Sequence, residues 1–249
     1  MAKRKRVEKT LVAFLLDRSG SMSACRDATI EAFNGYLSTL QDRALGENDI
    51  EFTFLQFDDQ SLDKIYGGAP IGEVRPLNRE TFVPRGGTPL IDAAYEMIRS
   101  VERLVIEAPG NPKVVICIQT DGQENSSRKY TWFSLNELIS AKRALGWQFN
   151  FMGVGLDAYR QSQAMGIGLQ STMSYNIHDR DNTMAAFRAV GMNTASFASG
   201  AVATTGYTAA QRLDSGDQIG IGLGLGVPAA SLVPDKPAKP ARRRKTAAV

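Results

Sequence analysis

The sequence predicts an α/β fold: a doubly wound, mainly parallel central sheet with helices on both faces. Three observations predict it. Short β-rich runs alternate with longer helical periodicities from Leu11 to Ile177, the pattern of βαβ units. The run KVVICIQTDG, Lys113 to Gly122, is apolar through its strand portion, as expected of a central strand covered on both sides. Hydrophobic residues make up 43% of the 249, enough for a proper core.

The elements follow in order. TLVAFLL is the first strand, ending at Asp17. Ala24 to Arg43 places Ile30, Phe33, Leu37 and Leu40 at helical spacing, so one stripe of this helix turns to the sheet. IEFTFLQFD, Ile50 to Asp58, is the second strand, and the turn-rich stretch from Ser61 to Gly87 is expected to hold an edge hairpin or irregular strands. Thr88 is read as an N-cap, with Pro89 at the first helical position of a helix running to about Val105. After the central strand, Ser134-Leu-Asn-Glu137 reads as a capping box opening a helix to Leu145. WQFNFMGVG is the next strand, Asp157 to Met165 a short helix, STMSYNI a last strand, and His178 to Ala189 a helix.

Four regions are expected: a basic tail at 1–9, the folded domain at 10–190, a small-residue and Gly-rich extension at 191–227, and a disordered Pro/Ala/basic tail at 228–249. Within the extension, Thr208-Ala-Ala-Gln211 is a further candidate capping box. Glycines at 220, 222, 224 and 226 alternate with Ile and Leu. That pattern suits a flexible apolar linker, or a strand lying against another backbone; the linker is preferred.

The formal charge of +3 is unevenly spread. Residues 1–9 hold five Lys/Arg against one Glu, and residues 235–249 hold six against one Asp, which leaves the body between them with six net negative charges. Basic ends of this kind suit solvated tails, or contact with nucleic acid, an anionic membrane or an acidic partner. No apolar run reaches the roughly 20 residues of a membrane span, so none is expected. Cys25 and Cys117 are the only cysteines, and Cys117 sits in an apolar run; a disulfide scaffold is not expected, and a reducing cytoplasm is the expected location.

Three motifs converge on this scaffold. Asp17 ends the first strand, followed by Ser19 and Ser21 with glycine between them; Asp121 ends the central strand; Thr88 follows Gly86 and Gly87. In an open parallel sheet the carboxyl ends of strands are where ligands gather, so these residues can meet in space. Oxygen donors from Asp, Ser and Thr suit a hard cation such as Mg²⁺. Asp58, Asp59 and Asp63 are read as a solvated turn rather than a second cation site, His178 as a surface or capping residue, and Gly153 and Gly155 as a strand-end turn.

Asp17-Arg18-Ser19-Gly20-Ser21, Thr88 in GGTPL and Asp121 in QTDG together resemble the metal-ion-dependent adhesion site of von Willebrand factor type A domains, and the chain is similar to the stand-alone members of bacteria and their phages. The resemblance covers roughly residues 10 to 190 and does not reach the final stretch. It implies a Mg²⁺ ion, with Mn²⁺ or Ca²⁺ as alternatives. Ser19 and Ser21 would bind it through their hydroxyls, Thr88 directly or through water, and Asp17 and Asp121 largely through water. It further implies an open coordination position filled by a carboxylate from a partner protein, inside an intracellular assembly that in this family often includes an AAA-type ATPase. No GxxxxGK[ST] motif occurs here, so any such motor is a separate chain.

The expected function is therefore cation-dependent protein binding without catalysis. A Mg²⁺-dependent phosphohydrolase is the main alternative, but many such enzymes need a second carboxylate two residues after the first, and Ser19 stands there. A nucleic-acid-associated protein acting through its basic ends is the third. No aromatic residue interleaves those ends to stack on bases.

Overall fold

The computed structural model describes residues 9–44 and 49–228, so the expected tails lie outside the described residues apart from Lys9 and Pro228. The sheet has six strands in the order β3-β2-β1-β4-β5-β6. They are β1 (Lys9–Asp17), β2 (Asp49–Phe57), β3 (Leu62–Pro70), β4 (Lys113–Gln119), β5 (Gln148–Gly153) and β6 (Thr172–Ser174). All neighbours pair in parallel except β3, which runs antiparallel along β2 at one edge. The turn-rich stretch thus yields one nine-residue edge strand, with its register broken near Phe52 to Leu55.

Period-two alternation in β1 divides the core. Val12, Phe14 and Leu16 face one layer, and Leu11, Ala13 and Leu15 the other, all of them buried. The first layer is covered by α1 (Arg26–Ala44) and α5 (Arg180–Ala198), the second by α2 (Leu90–Glu107) and α3 (Trp132–Ala144). The expected stripe of α1 delivers Phe33, which meets Phe14 edge-on at 5.3 Å and stacks on Phe54 at 4.6 Å. Fully burying one such ring is worth about 1.5–3 kcal/mol, so this cluster is a main anchor of the layer.

Several expected boundaries move, each for a local reason. The helix expected to open at Ser134 begins at Trp132, because Thr131 and Ser134 cap each other: the Ser134 N–H donates to Thr131 Oγ1, and the Thr131 N–H to Ser134 Oγ. β6 stops at Ser174 rather than running on to Ile177. Asn176 turns the chain there by accepting from the backbone N–H groups of His178 and Asp179. The boundary expected at residue 190 falls inside α5, which continues to Ala198. Small residues read as a change of character are what lets α5 lie close to α1: a methyl on Gly191 would stand 3.2 Å from the Tyr36 ring.

The Gly-rich stretch expected as a linker instead folds back onto the domain. The capping box at Thr208 and Gln211 opens α6 (Ala209–Asp214), and α7 (Gln218–Gly222) follows. Arg212 and Asp217, both with side chains wholly buried, pair at 2.7 Å, and Tyr159 of α4 (Gly155–Ala164) donates to Asp217 at 2.6 Å. The Val227 N–H then closes on the Tyr207 carbonyl. Alternation of glycine with Ile and Leu carries no sign of this, because the tie is made by charges outside the repeat.

Candidate metal centre

Asp17 is the last residue of β1, and the chain leaves the sheet there. Its carboxylate is fully buried. Oδ1 accepts the Ser19 N–H at 2.6 Å and Oδ2 accepts the Thr120 hydroxyl at 2.5 Å. Residues 20–25 then form a 3-10 turn leading into α1, which carries Ser21 over the end of the sheet. Ser19 Oγ and Ser21 Oγ stand 3.1 Å apart, and Ser21 Oγ donates to Asp121 Oδ1 at 2.7 Å, joining segments one hundred residues apart in sequence. Asp17 and Ser19 lie inside, Asp121 is half-buried and Ser21 is exposed, so the cluster opens to solvent on the Ser21 side.

Thr88 comes to the same place, but not as the N-cap its sequence suggested. α2 begins at Leu90 with Pro89 in the capping position, and no side-chain capping bond forms there. The free N–H groups of the first turn are taken by the loop after β4 instead: Ile91 donates to Glu124 at 2.8 Å and Asp92 to Ser127 at 3.1 Å. Asn125 holds the Thr88 backbone from both sides, accepting its N–H at 2.8 Å and donating to its carbonyl at 3.1 Å. The Thr88 hydroxyl is thereby spared from capping. A methyl group on Gly122 would sit 3.2 Å from Thr88 Oγ1 and 3.8 Å from Ser21 Oγ, so both hydroxyls flank that glycine.

Loop stitching fixes these positions. Gly20 donates to the Gly86 carbonyl and Arg85 to the Arg18 carbonyl, at 3.0 and 2.9 Å. Gly86 has a φ of +68°, a conformation that calls for glycine, and a Cβ there would also displace the Asp59 carboxylate, 1.9 Å away. Asp58 is not the solvated turn residue expected from sequence. It is buried, and it receives Arg18 at 2.7 Å and Arg85 at 2.9 Å, while Arg18 also reaches Asp63 at 2.9 Å.

That network leaves an electrostatic deficit at the cluster. The charge of Arg18, next to Asp17 in the chain, is spent on Asp58 and Asp63, and Asp17 makes no ion pair among the described residues. Burial pushes the Asp17 carboxyl up from 3.8 to about 6, against the pull of its hydrogen bonds from Thr120 and Ser19. Asp121 is also raised by burial, offset in part by the Ser21 bond. Among the described residues no three His, Cys, Asp or Glu side chains gather as a metal cage. The donor set is instead two carboxylates and three hydroxyls, all oxygen, which fits a hard divalent cation. Thr120 was missed in the sequence. Its only signal was a hydroxyl residue directly before Asp121 at a strand end.

With the sheet order and this cluster in hand, solved structures show what the fold is. A von Willebrand factor type A protein from Catenulispora acidiphila superposes with a TM-score of 0.53 at 16% identity, over 76% of this chain and 43% of the other. The fold is that of a type A domain. Proximal thread matrix protein 1 from the mussel byssus superposes at 0.53 with 17% identity, over 78% of this chain and 47% of its own. The pilus adhesin SpaC from Lactobacillus rhamnosus GG, in its open conformation, does so at 0.53 with 14% identity, over 79% and 31%. The chain thus spans less than half the length of each of these structures, and at such identities the likeness is one of fold. No protein-family model matches the sequence, and no curated protein matches it. In this type A fold the cluster occupies the carboxyl ends of β1 and β4, two adjacent central strands.

Proposed function

We propose that the chain is a protein-binding module whose Mg²⁺ ion is held by Ser19, Ser21 and Thr88, with Asp17 and Asp121 fixing the surrounding shell, and whose ligand is an acidic side chain of a partner protein. One observation carries this reading. A buried carboxylate that makes no ion pair among the described residues lies beside three hydroxyls and a second carboxylate contributed by three separate loops. A bound cation would supply positive charge to that ring and an acceptor site for a carboxylate oxygen. The residues do the rest: Thr120 and the Ser19 N–H orient Asp17, Asp121 orients Ser21, and Asn125 sets the height of Thr88.

No bond-breaking step is assigned. Both oxygens of Asp17 already accept hydrogen bonds, and the residue two positions on is Ser19, whose N–H is one of the donors. The two cysteines are buried free thiols, which supports a reducing location such as the cytoplasm.

Calorimetric titration with MgCl₂ tests the metal site, and a pull-down in Mg²⁺ or EDTA tests its use. Wild type is expected to bind Mg²⁺ and to retain a set of proteins that is lost both in EDTA and in Ser21→Ala. Absence of any Mg²⁺ binding heat, or a protein set indifferent to both changes, overturns the proposal.

A further inference from the structure

The candidate metal centre sits at the carboxyl ends of the strands, and the two basic segments of the sequence join the fold at the opposite end. Lys9, which follows directly on residues 1–8, is the first residue of β1. The chain beyond α5 returns to the same end. Lys113, the first residue of β4, donates to the Phe197 and Ala198 carbonyls, and the Thr205 N–H donates to the side chain of Gln148, the first residue of β5. The Tyr207 N–H then takes Gln170, just ahead of β6, and the Val227 N–H takes Tyr207, one residue before Pro228. β1, β4, β5 and β6 all run parallel, so Lys9 and Pro228 stand at the amino end of one sheet. Three strand spacings, roughly 14 Å, separate β1 from β6.

Those segments carry an unmatched charge. Residues 1–8 hold four Lys/Arg against Glu8, and residues 229–249 hold six against Asp235, an excess of eight positive charges; residues 9–228 are left with five net negative charges. An apolar stretch adjoins the second run. No charged residue occurs from Gln218 to Pro234, and on α6 and α7 Leu213, Ile221 and Leu223 are 64%, 36% and 57% exposed. Nucleic-acid phosphates would attract the basic runs but offer these aliphatic side chains nothing. An anionic bilayer serves both: its headgroups attract Lys and Arg, and the boundary beneath them takes apolar side chains.

We infer that this end of the molecule docks on an anionic lipid bilayer, held by the two basic segments and by Ile221 and Leu223, with the metal centre facing away from the lipid. Among the described residues no helix is long and apolar enough to cross a membrane, so the contact is with its surface. The inference stands apart from the metal-centre reading, since none of its residues belongs to that cluster.

The test sediments the full chain with vesicles of phosphatidylcholine alone or with one-third phosphatidylserine. Binding is expected only to the anionic vesicles, and should fall as salt rises. Each basic residue near such a surface is worth about fivefold in affinity, so R242Q/R243Q/R244Q/K245Q should bind at least about a hundredfold more weakly. I221S/L223S alters two solvent-facing side chains and should keep its urea midpoint, yet lose about tenfold on vesicles while binding a DNA duplex as the wild type does. Failure to sediment with anionic vesicles, or equal sedimentation with neutral ones, overturns the inference. So does wild-type vesicle affinity in I221S/L223S, or tighter binding to the duplex than to vesicles at the same salt, which would assign the basic segments to nucleic acid.

Discussion

Asp17 places a carboxylate where water does not reach and gives it only neutral donors. The sign of the consequence follows from its raised pKa. Below the unfolded value of 3.8 both states are protonated and the residue costs nothing; as pH rises through about 6 the folded carboxyl ionises in a dry site, and stability is lost. In EDTA the chain should therefore be less stable at about pH 7.5 than at about pH 5 as far as this residue is concerned, and Asp17→Asn should flatten that slope in urea titrations. Mg²⁺ should restore more stability at the higher pH, because ion and proton compete for the same charge. Thr120 offers a second test. Thr120→Val keeps the shape but strips one oxygen of Asp17 of its donor and the Gly122 N–H of its acceptor; a loss of about 1–3 kcal/mol, with weaker Mg²⁺ binding by calorimetry, is expected.

The loop after β4 works at the scale of whole elements, since it caps α2 and fixes Thr88 at once. Glu124 accepts from Ile91 at 2.8 Å and also from the backbone of Ser126 and Ser127, both at 2.8 Å. In return Asp92 of α2 accepts from the backbone of Arg128 at 2.8 Å and Tyr130 at 2.9 Å. Glu124→Ala leaves several N–H groups unpartnered and should cost about 1.5–3 kcal/mol in chemical denaturation. A companion loss of Mg²⁺ affinity is expected in Asn125→Ala, which releases the Thr88 N–H while the backbone bond to the Thr88 carbonyl stays. These ties show where the sequence was legible. Asp17, Ser19 and Ser21 fall within five residues, so their grouping is written in one line of text, and the apolar runs of β1 and β4 place them at a sheet end. Thr88 could be read only as a cap, because the residues that cap in its stead lie more than thirty positions away. Pairings such as Glu124 with Ile91, or Asp58 with Arg18, are fixed by tertiary approach and leave no local pattern.

For the molecule as a whole, the stretch after α5 is part of the folded unit rather than an appendage. Arg212 donates to Asp217 at 2.7 Å, to Tyr159 at 2.8 Å and to the Thr172 carbonyl of β6 at 2.7 Å, all out of contact with water. Asp217→Ala leaves that guanidinium buried without its counter-charge and should cost about 3–5 kcal/mol, read as a lowered midpoint in thermal or urea melts. Arg212 with Asp217 replaced together by apolar residues should recover much of the loss, since a dry ion pair returns little beyond its own desolvation.

The same guanidinium has one more effect, set by where β6 lies. β6 is the last strand of the sheet, and a strand with one bare flank is a template on which a foreign strand can grow. Arg212 occupies the Thr172 carbonyl of β6 and those of Leu169 and Gln170 in the turn just before it, and the Tyr207 N–H takes Gln170 as well. The last turns of the described chain therefore act as a stopper against fibre-like addition, and a shortened chain that folds without them would be exposed to aggregation along that side.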